Sequence, residues 1–262
     1  MNDPAVPSRR DVLGWRRVFA VFGPSTNTIV QPEMEAMRPA GVTNQYRDIY
    51  IENAKALSDE AFMAGADLIS GAVHDALRTA MTCEPDYLVM GVSAITFIGG
   101  AAACEKLTHG IKDFTGLDVS VGSVSCVEAM KAYGGIKRIA VLSPYYPMAN
   151  FHVARFFSDY GITTVRDLPM RCKSWTDISR VTESQISAAL RQLDGDDIDA
   201  IVQVGTNLCM ARMAPVAEAW ACKPVIAINT ATYWHALRSN GIADRLDGFG
   251  PLLAEHTLLL NK

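Results

Sequence analysis

The amino-acid sequence predicts an α/β fold of two pseudo-symmetric halves, with mainly parallel sheets flanked by helices and the active site in the cleft between the halves. Three observations lead there. Short β-branched runs alternate along the chain with longer amphipathic segments, the pattern of right-handed βαβ units. The stretch PDYLVMGVSA (Pro85 to Ala94) is echoed by IDAIVQVGTN (Ile198 to Asn207), and VFAVFGPSTN (Val18 to Asn27) by RIAVLSPYYP (Arg138 to Pro147). The strand ends so marked carry Ser, Thr, Asn, Tyr and Gly but almost no charge, and parallel sheets bind ligands outside the carboxyl ends of their strands.

In chain order, the apolar run from Arg17 to Phe22 is the first strand, stopped by the turn residues of GPSTNT (Gly23 to Thr28). A long amphipathic helix is expected over Ser58 to Cys83. Next come a strand at Asp86 to Met90, a helix at Gly100 to Thr115, a strand at Val119 to Ser123 and a helix at Ser125 to Tyr133. The second half repeats the alternation. Its strands are Arg138 to Leu142, Ile162 to Val165, Ala200 to Val204 and Pro224 to Ile228. Its helices are Ala149 to Tyr160, Thr182 to Leu193, Met213 to Ala221 and Thr230 to Asn240. Gly134-Gly135, Gly161 and Gly241 each follow an apolar periodic stretch, where a helix ends in a left-handed residue. These elements divide the chain into an extension over residues 1–16, a first half over 17–116 joined by 228–262, and a second half over 117–227.

Bulk properties exclude several classes. At 262 residues with 49% hydrophobic content the chain can bury a sizeable core. A formal net charge of −4 and scattered Lys and Arg leave no basic stripe for nucleic acid. The N-terminus, with Pro4, Pro7, Arg9 and Arg10, lacks the apolar segment of a secretory signal, and no apolar run reaches membrane-spanning length. A cytoplasmic protein with no membrane partner is expected. The six cysteines show no CxxC spacing and are expected to be free thiols, forming neither a disulfide frame nor a zinc site. There is no GxGxxG after the first strand, no GxxxxGK[ST], no HExxH and no GxSxG. No metal and no cofactor are expected.

PSTNT after the first strand, the MGVSA junction, SPY after a mid-chain strand and KPVIAINTATYWHAL near the C-terminus resemble, in order and separation, the aspartate/glutamate racemase superfamily. The likeness runs from Arg17 to the C-terminus and is closest to maleate cis-trans isomerases and arylmalonate decarboxylases. It implies a cofactor-independent isomerase or decarboxylase acting on a small dicarboxylic or related carboxylic acid through an enediolate-like intermediate, and a homo-oligomer. Maleate isomerases resemble a two-thiol machine, and arylmalonate decarboxylases keep only the second thiol, as proton donor. Here Ala94, or else Ser93, stands where the first thiol belongs, and Gly205 where the second does. A hydrolase or lyase using water, or a non-catalytic small-acid binding protein, would keep the same pocket.

Each candidate residue has a functional and a structural reading. Asn27 resembles the asparagine that helps hold a substrate carboxylate, or it organises its loop as an Asx-turn or N-cap. Ser93 offers a hydroxyl beside a helix N-terminus beginning near Gly99, or is a plain N-cap. Tyr145 resembles the tyrosine whose phenol contacts the carboxylate, or is a packing residue. Thr206 and Asn207 supply a hydroxyl, an amide and backbone donors able to stabilise developing negative charge, although they are poor acids and bases. Cys209 is a buried small hydrophobe, or it rescues thiol chemistry if its loop bends toward the site. Ser93, Tyr145, Thr206 and Cys209 are thus the catalytic candidates, and Asn27, Ser93, Ala94, Tyr145, Gly205, Thr206 and Asn207 the substrate-binding ones. His74 reads as a surface or core residue, His235 as a residue of the last long helix that could reach the cleft as an acid or base, and Tyr233 and Trp234 as packing.

Overall fold

The structure, a computed structural model, describes residues 11–53 and 58–259. Among them are two four-stranded sheets, both wholly parallel. The first contains β1 (Arg17–Pro24), β2 (Val42–Ile49), β3 (Tyr87–Met90) and β4 (Val119–Val121) in the order β2-β1-β3-β4. The second contains β5 (Arg138–Ser143), β6 (Thr163–Pro169), β7 (Ala200–Gln203) and β8 (Val225–Ala227) in the order β6-β5-β7-β8. Each half therefore has the same strand order and the same direction, and the internal sequence echo is a structural repeat.

The central strands are the apolar ones. β3 and β7 are buried along their whole length, as expected for strands covered by helices on both faces. The ladders stop at matching points: Phe22 pairs with Met90 in the first sheet and Leu142 with Gln203 in the second. Beyond them Gly91 N–H donates to Phe22 O, and Val204 N–H to Leu142 O.

Helices α1 (Val30–Ala36), α2 (Asp59–Ala80), α3 (Ala94–Phe97), α4 (Gly100–Thr115) and α5 (Gly122–Ala132) come from the first part of the chain. They are followed by α6 (Pro147–Asp159), α7 (Glu183–Leu193), α8 (Met213–Ala221), α9 (Ile228–Ser239) and α10 (Pro251–Ala254). Helix α7 opens with a capping box in which Thr182 accepts from Gln185 N–H while the Gln185 side chain accepts from Thr182 N–H. Helix α9 follows the last strand of the second sheet yet packs on α1, α5, β3 and β4. It carries Tyr233 and Trp234, both fully buried, with Trp234 Nε1 donating to His256 O and the Tyr233 hydroxyl to Asn44 Oδ1. Arg238 of the same helix donates to the carbonyls of Ile242, Asp244, Leu253 and His256, which fastens the C-terminal segment to it.

Several expectations need correction. β4 pairs with β3 through Leu88, Val89 and Met90, so the first sheet continues past the expected boundary at residue 116 to Val121. β2 (VTNQYRDI) escaped the sequence reading because an edge strand with polar residues has no apolar alternation to read. The helix expected over Gly100 to Thr115 is α4, with Gly99 at φ +84° before it, but a further short helix, α3, intervenes directly after Ser93. Helices α1, α3 and α10 were too short to show a period. Gly134, Gly135, Gly161 and Gly241 do take positive φ where helices were expected to stop. Pro4, Pro7, Arg9 and Arg10 lie outside the described residues, as do positions 260–262 of the expected first half.

Candidate active site

The carboxyl ends of β1 and β3 face those of β5 and β7, and the residues three places beyond the last ladder pairs are both hydroxyls, Ser93 and Thr206. Each reaches across to the other half. Ser93 Oγ lies 2.5 Å from the Tyr145 hydroxyl and accepts from Gly205 N–H at 3.2 Å. Thr206 Oγ1 donates to Gly91 O at 2.9 Å and accepts from Asn27 Nδ2 at 3.1 Å. Ser93, Tyr145 and Thr206 are all buried. Tyr145 is delivered by the SPYYP turn that ends β5 and starts α6 with Pro147 at its first position. Its backbone N–H is held by Ser143 Oγ, and its ring packs against Phe62.

Among these residues is a cavity of about 30 Å³, space for a water or two. Asn27, Ser93, Ala94, Tyr145, Gly205, Thr206 and Asn207 all line it, so the structure brings seven of the eight candidates together. The remaining wall is Pro24, Thr26, Ile69, Val92, Trp175 and Ile178. None of the lining residues is charged. Burial drives the Tyr145 phenol pKa well up, with the Ser93 hydrogen bond a smaller opposing effect, so the phenol stays protonated at neutral pH.

Asn27 organises its loop, as one of its two expected readings had it, and also lines the cavity. Its Oδ1 accepts from Ile29 and Val30 N–H at the start of α1, while Nδ2 points to Thr206. Asn207 is spent on structure instead. Its Nδ2 donates to Trp175 O and Thr26 O, and its Oδ1 accepts from Thr28 N–H, so the amide latches the loop that carries Trp175. Ser93 does not act as a helix cap; no cap bond from its side chain accompanies α3. The N–H groups of Thr206 and Asn207 bond to no other described residue.

Side chains are crowded at the strand-end glycines, among them Gly205, one of the two expected thiol positions. Gly205 has φ +99°, and a Cβ on it would lie 2.4 Å from Cδ of Pro144 and 2.5 Å from its Cγ. A Cβ on Gly91 would fall 2.6 Å from Cγ1 of Val30. Gln203 fixes this backbone, with Nε2 donating to the carbonyls of Val204 and Gly205 at 2.8 Å each. Ala94 and Gly205, the expected thiol positions, also stand at unequal distances past their ladders, whereas Ser93 and Thr206 match.

Cys209 does not reach the cavity. It lies on an outer hollow with Ile29, Pro32, Glu33, Ala36, Ala211, Arg212 and Phe249. Nor is it the buried residue expected: it is exposed, and partial desolvation with the adjacent Glu33 carboxylate pushes its thiol up to about 11, the opposite of what a nucleophile needs. Its turn instead serves Glu33, which the sequence reading missed. Oε1 of this buried carboxylate accepts from the N–H groups of Met210 and Ala211 and Oε2 from Asn229 Nδ2, which also donates to the Thr206 carbonyl. Burial raises the Glu33 pKa, against the lowering effect of those donors. A carboxylate on the short α1 gave no periodic signal. His235 is likewise absent from the cavity lining, and its Nδ1 pairs with Ser125 Oγ at 3.0 Å. No cluster of three or more metal-ligating side chains occurs among the described residues, and no helix there is long and apolar enough to cross a membrane.

The family model of arylmalonate decarboxylase matches residues 29–253. The chain belongs to the arylmalonate decarboxylase family. It is 25% identical over 242 residues to the arylmalonate decarboxylase of Bordetella bronchiseptica, covering 88% of this chain and 98% of that one. Among solved structures it is similar to the Nocardia farcinica maleate cis-trans isomerase bound to TRIS, with a TM-score of 0.83, 20% identity, and coverage of 91% of this chain and 98% of that one. A mutant of that isomerase carrying a covalently bound succinylcysteine intermediate matches with a TM-score of 0.82 at 19% identity, with coverage of 91% of this chain and 98% of that one. The family and the fold make this chain an enzyme of the maleate isomerase and arylmalonate decarboxylase type.

Proposed function

We propose that the enzyme decarboxylates a malonate bearing an apolar substituent, without a thiol, through an enediolate held between Asn27, Tyr145 and Thr206. The observation that carries this reading is the division of the cavity into one polar end and one apolar wall. Asn27 Nδ2, Thr206 Oγ1 and the hydrogen-bonded Ser93 and Tyr145 hydroxyls supply the polar end, while Ile69, Val92, Trp175 and Ile178 supply the apolar wall. An isomerase must keep both carboxylates bound and would need two anion sites. Here the polar end suits one carboxylate, and a second lying against the apolar wall is destabilised as an ion. Loss of that group as neutral CO2 relieves the cost and leaves an enediolate whose new charge faces preorganised donors.

The reaction balances simply: the malonate dianion loses CO2, the C–C electron pair becomes the enediolate, and one proton added at the α-carbon gives the monocarboxylate. Admission of a substrate larger than the present cavity requires the Trp175 loop to swing outward. That motion breaks the Asn207 to Trp175 O bond and the Asn53 to Thr176 bond. A homo-oligomer in the cytoplasm completes the reading; the six free cysteines support the reducing compartment.

The test is to offer the purified enzyme phenylmalonate and maleate separately and to follow CO2 and products. Phenylacetate with stoichiometric CO2, and maleate unchanged, is the expected result. Conversion of maleate to fumarate with malonates untouched would replace this reading with isomerisation.

A further inference from the structure

We propose that Tyr145, aligned by Ser93, is the acid that protonates the enediolate, in the role for which the family uses a thiol; this rests on the decarboxylase reading above. The need for a different acid is geometric. No cysteine lines the cavity, a Cβ on Gly205 would crowd Pro144, and Cys209 faces the outer hollow. Among the cavity-lining side chains the remaining O–H groups are those of Thr26, Ser93, Tyr145 and Thr206. Thr206 is committed as a donor to Gly91 O. An aliphatic hydroxyl is in any case a much weaker acid than a phenol, whose ordinary pKa is about 10.

Either oxygen can be the donor in the Ser93–Tyr145 hydrogen bond. Gly205 N–H occupies one acceptor position of Ser93 Oγ. If Ser93 donates its hydrogen to the Tyr145 oxygen, 2.5 Å away, the phenolic hydrogen is left pointing toward the cavity. The chain Gly205 N–H to Ser93 O–H to Tyr145 oxygen then strengthens as negative charge appears on the phenol oxygen, because donors in series polarise one another. In the step itself the O–H bond of Tyr145 breaks, its proton forms the new C–H bond at the α-carbon, and the enediolate electron pair supplies that bond. The phenolate left behind takes a proton from water when the product leaves, releasing hydroxide. An enediolate is far more basic than a phenolate, so the transfer runs downhill although burial makes the phenol a reluctant acid.

Because Tyr145 stands on one side of the cavity, the proton arrives on one face of the enediolate. Phenylmalonate carrying a methyl group at the α-carbon makes that face visible, since its product is chiral. Wild-type enzyme is expected to give one enantiomer in excess. Tyr145→Phe should release CO2 at least about 100-fold more slowly, in keeping with the loss of a general acid, with KM changed less than about threefold and the product nearly racemic. Ser93→Ala should lower kcat about tenfold while retaining the enantiomeric excess, and Cys209→Ser should match wild type in both. A merely structural role for Tyr145 would leave the enantiomeric excess intact. Wild-type rate and excess in Tyr145→Phe would overturn the proposal alone, as would their loss in Cys209→Ser. An unfolded Tyr145→Phe, checked by circular dichroism, moves the decision to Ser93→Ala, where an unchanged kcat counts against it. No CO2 from wild type with any substituted malonate would overturn the decarboxylase reading and this proposal together.

Discussion

The two hydroxyls that cross the cleft make equivalent gestures with unequal chemistry. Ser93 leaves the first half to meet a phenol and an N–H of the second, and Thr206 leaves the second half to meet an amide and a carbonyl of the first. Strand order and register are shared by the two sheets, so the backbone repeat places both hydroxyls alike. The difference lies in the path the chain takes out of each strand. After β3 the chain enters α3 directly, whereas after β7 it turns at Gly205 and runs without helix to Met213. That longer turn is held by Glu33 and frees the N–H groups of Thr206 and Asn207. The duplicated fold supplies position, and the unduplicated loops make the two crossings differ.

The largest expected effect on this contrast comes from Glu33, which braces only the second crossing. Glu33→Leu strands the Met210 and Ala211 N–H groups and removes the Glu33 acceptor of Asn229 Nδ2, leaving only the Asn229 bond to the Thr206 carbonyl. Unpaired buried donors cost about 1–3 kcal/mol each, so denaturant unfolding should show a loss of about 3 kcal/mol or more. A loss under about 1 kcal/mol would mean that the turn needs no brace.

Gly205→Cys comes next, because it asks whether a thiol can be restored at the second strand end. The clash with Pro144 and the positive φ predict destabilisation of about 2 kcal/mol without a gain in rate. A stable, faster enzyme would show that the loop opens freely. Thr206→Val then removes, at nearly constant shape, the hydroxyl that holds Asn27 Nδ2 in place across the cleft, and binding of phenylacetate should weaken about tenfold, or about 1.4 kcal/mol. Unchanged affinity in isothermal titration would remove Thr206 from the clamp.

Glu218, remote from both crossings, gives the smallest effect and a check on the background pH response. Burial chiefly, with Glu255 nearby, raises its pKa to about 7 from an ordinary 4.5. The folded protein therefore holds more protons than the unfolded chain between those values, and stability must fall as pH rises from about 4.5 to 7. Glu218→Gln should flatten that slope in thermal melts. Equal slopes in the two proteins would remove Glu218 as its source.

Much of this architecture was legible in the sequence because its signals were local. Apolar runs such as YLVM and AIVQ mark buried strands, and the echo between Pro85 to Ala94 and Ile198 to Asn207 matches the ladder register residue for residue. The polar edge strand β2 and the one-turn helix α3 carry no such pattern. Seven candidate residues meet because strand ends converge in any parallel α/β cleft. Contacts between distant segments were not legible: Ser93 and Tyr145 are 52 positions apart, and Glu33 lies 177 positions from Met210. Cys209 was misplaced for the same reason, since four residues beyond a strand end can lead into a cavity or away from it.

The central claim, one carboxylate clamped between the halves with an apolar substituent beside it, is tested most directly by a crystal structure with phenylacetate. The account predicts carboxylate oxygens within hydrogen-bonding distance of Asn27 Nδ2, Thr206 and the Tyr145 hydroxyl, with the ring against Ile69 and Ile178 and the Trp175 loop displaced. A carboxylate bound instead in the hollow beside Cys209, with the cleft cavity unchanged, would contradict it.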